Sequence, residues 1–204
     1  MKRHSAGRWA VAAGLIAILA ACTPQGLNIG PIPVSLPVDG GSIDPSQFVL
    51  VPGGIEFDYT TDQDFCGLPT EQEIIDQMPS IGSIDVSGLV TLKKINLSDI
   101  VLTATTGDFS FLHEITVSFV PKPVNGQEQD PVVIGYAYSP DGFGNSITLI
   151  PPDDVNLLDL IRANDDNPAT GCPKIQMDVR GTKPSQLVEW EGKVDSDIYA
   201  TIGR

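Results

Sequence analysis

Glu114-Ile115-Thr116-Val117-Ser118-Phe119 is the run from which the fold can be read. Ile115, Val117 and Phe119 fall on one side and Glu114, Thr116 and Ser118 on the other, the period-two pattern of a strand with one buried and one wet face. His113 shares the parity of the apolar set and is expected at the boundary of the core. A half-buried strand needs neighbours, and the chain supplies them in both directions.

Upstream, Ile95 and Leu97 occupy odd positions whereas Ile100 and Leu102 occupy even ones. That change of phase at Ser98-Asp99 predicts a bulge or a bend between sheets. Further upstream, Ile55, Phe57 and Tyr59 alternate with Glu56 and Asp58, and Pro52-Gly53-Gly54 separates them from Gln47–Val51, which suggests a hairpin. Downstream, Val132, Ile134, Tyr136 and Tyr138 form an alternating set closed by the turn residues Ser139-Pro140-Asp141-Gly142. Asn145–Ile150 reads as a short strand. Ile175, Met177 and Val179 alternate again. Val188, Trp190, Val194, Ile198, Ala200 and Ile202 share one parity, as one long bent strand or as two joined by a bulge.

Two short helices interrupt this pattern. Thr70 and Glu73 have the spacing of a capping box ahead of Ile74, Ile75 and Met78. Asp153 is the expected cap of a helix covering Val155, Leu157, Leu158, Leu160 and Ile161, with Arg162 near its end. Helices do not recur between strands as a parallel sheet requires. The fold class is therefore all-β: a two-layer β-sandwich, immunoglobulin-like or jelly-roll, with one or two short helices. It is assigned to residues 47–204. Residues 22–46 carry Pro24, Pro31, Pro33, Pro37 and Pro45 among several glycines and read as a linker. In the competing reading, Leu27-Asn28-Ile29 and Ile32–Val38 lie along the domain as an edge strand, where proline is tolerated.

The amino terminus has another character. Lys2, Arg3 and Arg8 precede Trp9–Ala21, a run of 13 residues without charge, whereas a membrane-crossing helix takes about 20. A basic head and a short apolar run make an export signal. The run closes on Leu19-Ala20-Ala21-Cys22, which resembles the processing box of bacterial lipoproteins. The resemblance implies removal of residues 1–21, acylation of Cys22 as the new amino terminus, and a cell-envelope location held to the membrane by lipid. Thr23, in place of the Asp that favours inner-membrane retention, implies the outer membrane in a cell with two. Asp108-Phe109-Ser110-Phe111-Leu112 loosely resembles a stretch of uncharacterised β-rich lipoprotein domains, and no activity comes with that likeness.

Charge and cysteine content bound the remaining possibilities. The chain has 12 basic and 26 acidic residues, a net −14. Three of the basic residues lie in the leader, so nine remain against 26 acidic ones, a net −17. Nucleic acid and anionic membrane surfaces reward clustered Lys and Arg, and such partners are argued against. With Cys22 assigned to lipid, Cys66 and Cys172 remain, 106 residues apart. An oxidising compartment favours their disulfide.

Candidate sites are few. His113 is the sole histidine after the leader, so a histidine-rich metal site is ruled out by count. Calcium would take oxygen ligands from Asp58, Asp62 and Asp64, or from Asp165 and Asp166 between Asn164 and Asn167, although neither stretch has the twelve-residue helix-loop-helix pattern. No other cofactor is implied. Glu189 and Glu191 flank Trp190 and would share a face if that run is a strand, placing a carboxylate pair at a sugar or cation site. The favoured function is an envelope lipoprotein acting as a structural or protein-binding module. The alternatives are a carbohydrate- or apolar-ligand-binding module, with an envelope glycan as partner, and a carboxylate-dependent hydrolase, which would need two carboxyls across a cleft.

Overall fold

The structure is a computed structural model that describes residues 27–47, 56–77, 89–124, 126–167 and 171–203. The leader, Cys22, Phe48–Ile55 and Met78-Pro79 lie outside the described residues. Among the described residues eight strands run in chain order: β1 (Leu27–Ile43), β2 (Glu56–Asp64), β3 (Val90–Thr106), β4 (Leu112–Val120), β5 (Val132–Tyr138), β6 (Ser146–Leu149), β7 (Lys174–Thr182) and β8 (Val188–Ile202). Helix α1 (Glu71–Gln77) lies between β2 and β3, and α2 (Leu157–Asp165) between β6 and β7.

The strands form two antiparallel four-stranded sheets. Sheet A has the order β1-β8-β3-β6 and sheet B the order β2-β7-β4-β5. In this arrangement β1 pairs with β8, β2 with β7, β3 with β6 and β4 with β5, a nested hairpin wrapped on itself so that β8 also meets β3 and β7 also meets β4. That is the jelly roll, and the topology decides between the two sandwiches that the strand pattern allowed.

The linker expected over residues 22–46 is corrected across most of its length. Leu27–Ile43 is the edge strand β1, paired with β8 from Leu27↔Ile202 to Ile43↔Val188, so the sandwich starts well before Gln47. Proline cannot donate to a ladder, but an edge strand has one unpaired side on which that loss is harmless. Register shifts between Ile29 and Ile32 and between Val38 and Gly41 accommodate the Pro- and Gly-rich segments.

Two cores follow from the length of sheet A. Its half toward Val188 and Ile100 faces sheet B, where Ile100, Leu102, Phe109, Phe111, Leu112, Ile115, Val117, Ile147, Leu149, Val179 and Val188 pack together. Its other half is covered by the helices, with Leu92, Ile95, Ile198 and Ala200 of the sheet against Ile75, Leu158 and Ile161. Strand β3 serves both cores by changing phase. Shifts between Leu92 and Lys94 and between Leu97 and Asp99 mark extra residues at Lys93 and Ser98, and the second is the bulge expected at Ser98-Asp99. Strand β8 keeps a single parity over all 15 residues, because the irregularities lie in β1 and β3.

The helices are held by side chains. Thr70 and Glu73 form the expected capping box: Glu73 N donates to Thr70 Oγ1 at 3.2 Å, and Thr70 N donates to Glu73 Oε2 at 2.8 Å. For α2 the cap is Asn156 and not Asp153; its Oδ1 accepts from Leu158 N at 3.2 Å and from Ile95 N of β3 at 3.0 Å. Arg162 Nε and Nη2 donate to the two oxygens of Glu71, each at 2.7 Å, and Nη2 also reaches Leu92 O at 3.2 Å. One guanidinium thus joins α2, α1 and β3.

Candidate functional site

Cys66 and Cys172 form a disulfide with sulfurs 2.00 Å apart across a sequence separation of 106. It sits just beyond the paired ends of β2 and β7, where Phe65 N donates to Pro173 O at 2.8 Å.

The acidic stretches do not gather. Asp58, Asp62 and Asp64 alternate along β2 opposite Arg180, Gln176 and Lys174. At about 3.4 Å per residue, Asp58 and Asp64 lie roughly 20 Å apart, whereas a calcium ion holds its ligands within about 2.6 Å. Lys174 Nζ approaches Asp62 Oδ2 at 3.9 Å. Asp165 ends α2 with Oδ2 accepting from Glu71 N at 3.4 Å, and Asp166 is the C-cap. Asn167 Nδ2 donates to Lys122 O and Pro123 O, both at 3.2 Å. Among the described residues no three His, Cys, Asp or Glu side chains form a metal site.

Glu189, Trp190 and Glu191 are divided between the two faces of β8. Both glutamates are exposed on the outer face of sheet A, and Glu189 Oε2 accepts from Thr106 Oγ1 at 2.8 Å. The indole of Trp190 turns the other way and packs against the core between the sheets. A Cβ on Gly41 of β1 would lie 3.1 Å from the ring, and one on Gly40 would lie 1.5 Å from Trp190 O. The ring is therefore half-buried against the core, on the opposite side of β8 from the two carboxylates. Among the described residues, the carboxylates with shifted proton affinity, Asp44, Glu71, Glu73, Asp108 and Asp195, are all pushed downward, each chiefly by a hydrogen bond it accepts. A general acid needs the opposite direction.

The surface best suited to binding lies on sheet B. In β5 a register shift between β4 residues Val117 and Ser118, opposite Gly135 and Val133, leaves Ile134 as the extra residue. Gly135 and Ala137 turn inward and are buried, whereas Val133, Tyr136 and Tyr138 turn outward. From sequence Tyr136 and Tyr138 suit a core or a binding platform equally, and the register turns both outward. The sheets approach closely here: a Cβ on Gly135 would sit 3.0 Å from Leu149 Cβ and 3.2 Å from Ile100 Cδ1, so a large side chain at this inner position would crowd its neighbours. His113 is half-buried at the boundary of the core, as its parity suggests. It is the extra residue of a shift between Leu112 and Glu114, and Leu112 takes the core position at the start of β4.

Ile150, just past β6, bridges Tyr136: Tyr136 N donates to Ile150 O at 3.1 Å and Ile150 N to Tyr136 O at 2.8 Å. Paired residues share a face, so Val133, Tyr136, Tyr138 and Ile150, with relative exposures of 39, 40, 60 and 72%, form one apolar strip. Polar rows continue from it across the sheet. Tyr138 is opposite Glu114, which is opposite Arg180; Tyr136 is opposite Thr116, which is opposite Asp178. Thr60 Oγ1 donates to one oxygen of Asp178, and Gln176 Nε2 donates to the other at 2.8 Å. The carboxylate is thus held in a fixed orientation. The sequence signal for this strip was the alternation of β5, which left core and binding platform equally open for the tyrosines.

No protein-family model matches the chain. No curated protein matches it either. A solved structure similar to it is that of the empty head of turnip yellow mosaic virus, at 11% identity over 94% of this chain and 89% of that one, with a TM-score of 0.23. A likeness at that score carries no argument.

Proposed function

We propose that this chain is a lipid-anchored module of the bacterial cell envelope that binds a protein partner through the outer face of sheet B. The observation that carries the binding surface is the strip of Val133, Tyr136, Tyr138 and Ile150 beside Glu114. Contiguous apolar surface rimmed by polar groups marks interaction sites, and tyrosine is enriched at them. The anchor rests on Leu19-Ala20-Ala21-Cys22 and on Thr23, which favours the outer membrane in a two-membrane cell. The disulfide accords with export to an oxidising compartment.

A photo-crosslinking residue at Tyr138 tests this reading in the native cell, with mass spectrometry of the adducts and of the acylated amino terminus. The expected result is an envelope-protein adduct that persists in a soluble form lacking residues 1–22. Adducts from a probe at Glu191 but not from Tyr138 would move the binding surface to sheet A. Silence at both positions, in protein carrying its acyl mass, would leave a passive envelope role.

A second reading, an envelope glycan as ligand, is favoured by the fixed Asp178 carboxylate and Thr116 beside Tyr136. Aromatic rings can cover the apolar side of a sugar while fixed polar groups bond its hydroxyls. Titration with neutral oligosaccharides, followed by tyrosine fluorescence, separates it from protein recognition. The hydrolase reading gains no support, since Glu189 and Glu191 face solvent on either side of an inward-turned tryptophan.

A further inference from the structure

We infer that the helix-covered end of sheet A is a membrane-facing surface, held at the lipid headgroups, and that the half bearing sheet B is displayed away from the bilayer. The inference rests on the proposed acylation of Cys22. Its premise is the correction to the linker: the chain enters β1 at Leu27, five residue steps after Cys22. Five steps reach at most about 17 Å.

The end of the sheet that this short lead reaches is set by the register. Leu27 pairs with Ile202, and Ile202 pairs in turn with Val90. At this end Ile32 and Val34 of β1 pack against the core that holds Leu92, Ile95, Ile198 and Ala200 under α1 and α2. The opposite end, where Ile43 pairs with Val188, packs against the core shared with sheet B. From Val188 to Ile202, β8 extends roughly 48 Å at about 3.4 Å per residue. A tether near a third of that length cannot let the two ends exchange places at the membrane. The anchor therefore sets orientation as well as attachment, and the partner surface on sheet B faces the space beyond the headgroups.

Energy transfer to the bilayer measures this directly. A fluorescent amino acid is placed at Thr91, near the Leu27 end, or at Ser42, near the Ile43 end, both exposed strand positions. The processed, acylated protein is bound to phosphatidylethanolamine/phosphatidylglycerol vesicles carrying an acceptor on the headgroup. Transfer should be several-fold greater from Thr91 than from Ser42. A flexible insert of about 20 Gly and Ser residues between Gly26 and Leu27, with an r.m.s. span of roughly 25 Å, should erase most of that difference. Equal or reversed transfer in vesicle-bound protein would overturn the orientation while leaving acylation standing. Protein that lacks acyl mass and fails to float with vesicles would instead overturn the anchor, and the orientation with it.

Discussion

Asn156 serves two elements with one side chain, accepting from Leu158 N at the start of α2 and from Ile95 N in β3 while its Nδ2 donates to Asp159 Oδ2 at 2.9 Å. The Asn156→Ala substitution removes a cap and leaves a strand amide without its bond, at an expected cost of about 2 kcal/mol in chemical denaturation. A cost below about 0.5 kcal/mol would mean that water replaces the side chain fully. Glu71 and Arg162 form the neighbouring link, with side-chain exposures of 27 and 40%, so solvent limits the pair to about 1 kcal/mol. The hydrogen bonds from Arg162 hold the Glu71 carboxyl below its ordinary range. For a lowered acid, the stability contribution is complete above the unfolded pKa and is lost as pH falls through the folded one. Thermal melts should therefore show Glu71→Gln less stable than the parent at neutral pH, with the gap closing below about pH 4. A gap that stays constant into acid would sink this assignment.

The reach of the sequence is clearest at the scale of elements. Alternation located β4, β7 and β8, and the phase change in β3 located its bulge, because a half-buried strand writes its two faces into the order of residues. The Thr70–Glu73 cap was legible for the same local reason. Strand β1 was obscured because Pro31, Pro33 and Pro37 are the residues that also stiffen linkers, and only its pairing with β8 tells the two apart. Strand β5 was legible in part: Ile134 packs against the core, while Tyr136 and Tyr138, which suited a core or a binding platform equally, turn outward after the bulge. Its inner face is set by the distance to Ile100 and Leu149, a tertiary fact that no local pattern contains. The strip at Val133, Tyr136, Tyr138 and Ile150 was hidden with it. The disulfide also belongs to this scale, because it closes a long loop at the ends of β2 and β7. Pairing the double variant Cys66→Ser/Cys172→Ser with the parent should reveal a loss of about 2–4 kcal/mol, and reductant should lower the parent's melting temperature toward that of the variant. Equal stability of the two forms would show that the β2–β7 ladder needs no covalent closure.

At the scale of the whole molecule, the two faces of the sandwich differ in kind. On sheet A the outer polar groups satisfy one another: Lys193 Nζ donates to Asp195 Oδ2 at 2.8 Å, Ser35 donates to Oδ1 of the same carboxylate, and Ser98 Oγ donates to Asp197 Oδ2 at 3.2 Å. Sheet B instead leaves Tyr136 and Tyr138 to solvent. Replacing both, as Tyr136→Ser/Tyr138→Ser, should change folding stability by less than about 1 kcal/mol, since neither contributes to a core. Partner capture should fall at least about tenfold. Unchanged capture would place recognition elsewhere on the molecule, and collapse of the fold would show that the strip is structural. Nested pairing has a consequence of its own for biogenesis. Strand β8, the last in order, lies between β1 and β3 in sheet A. Strand β1 must therefore wait, unzipped, until the final strand has been made, which leaves a long proline-bearing segment without its neighbour while the rest of the chain emerges.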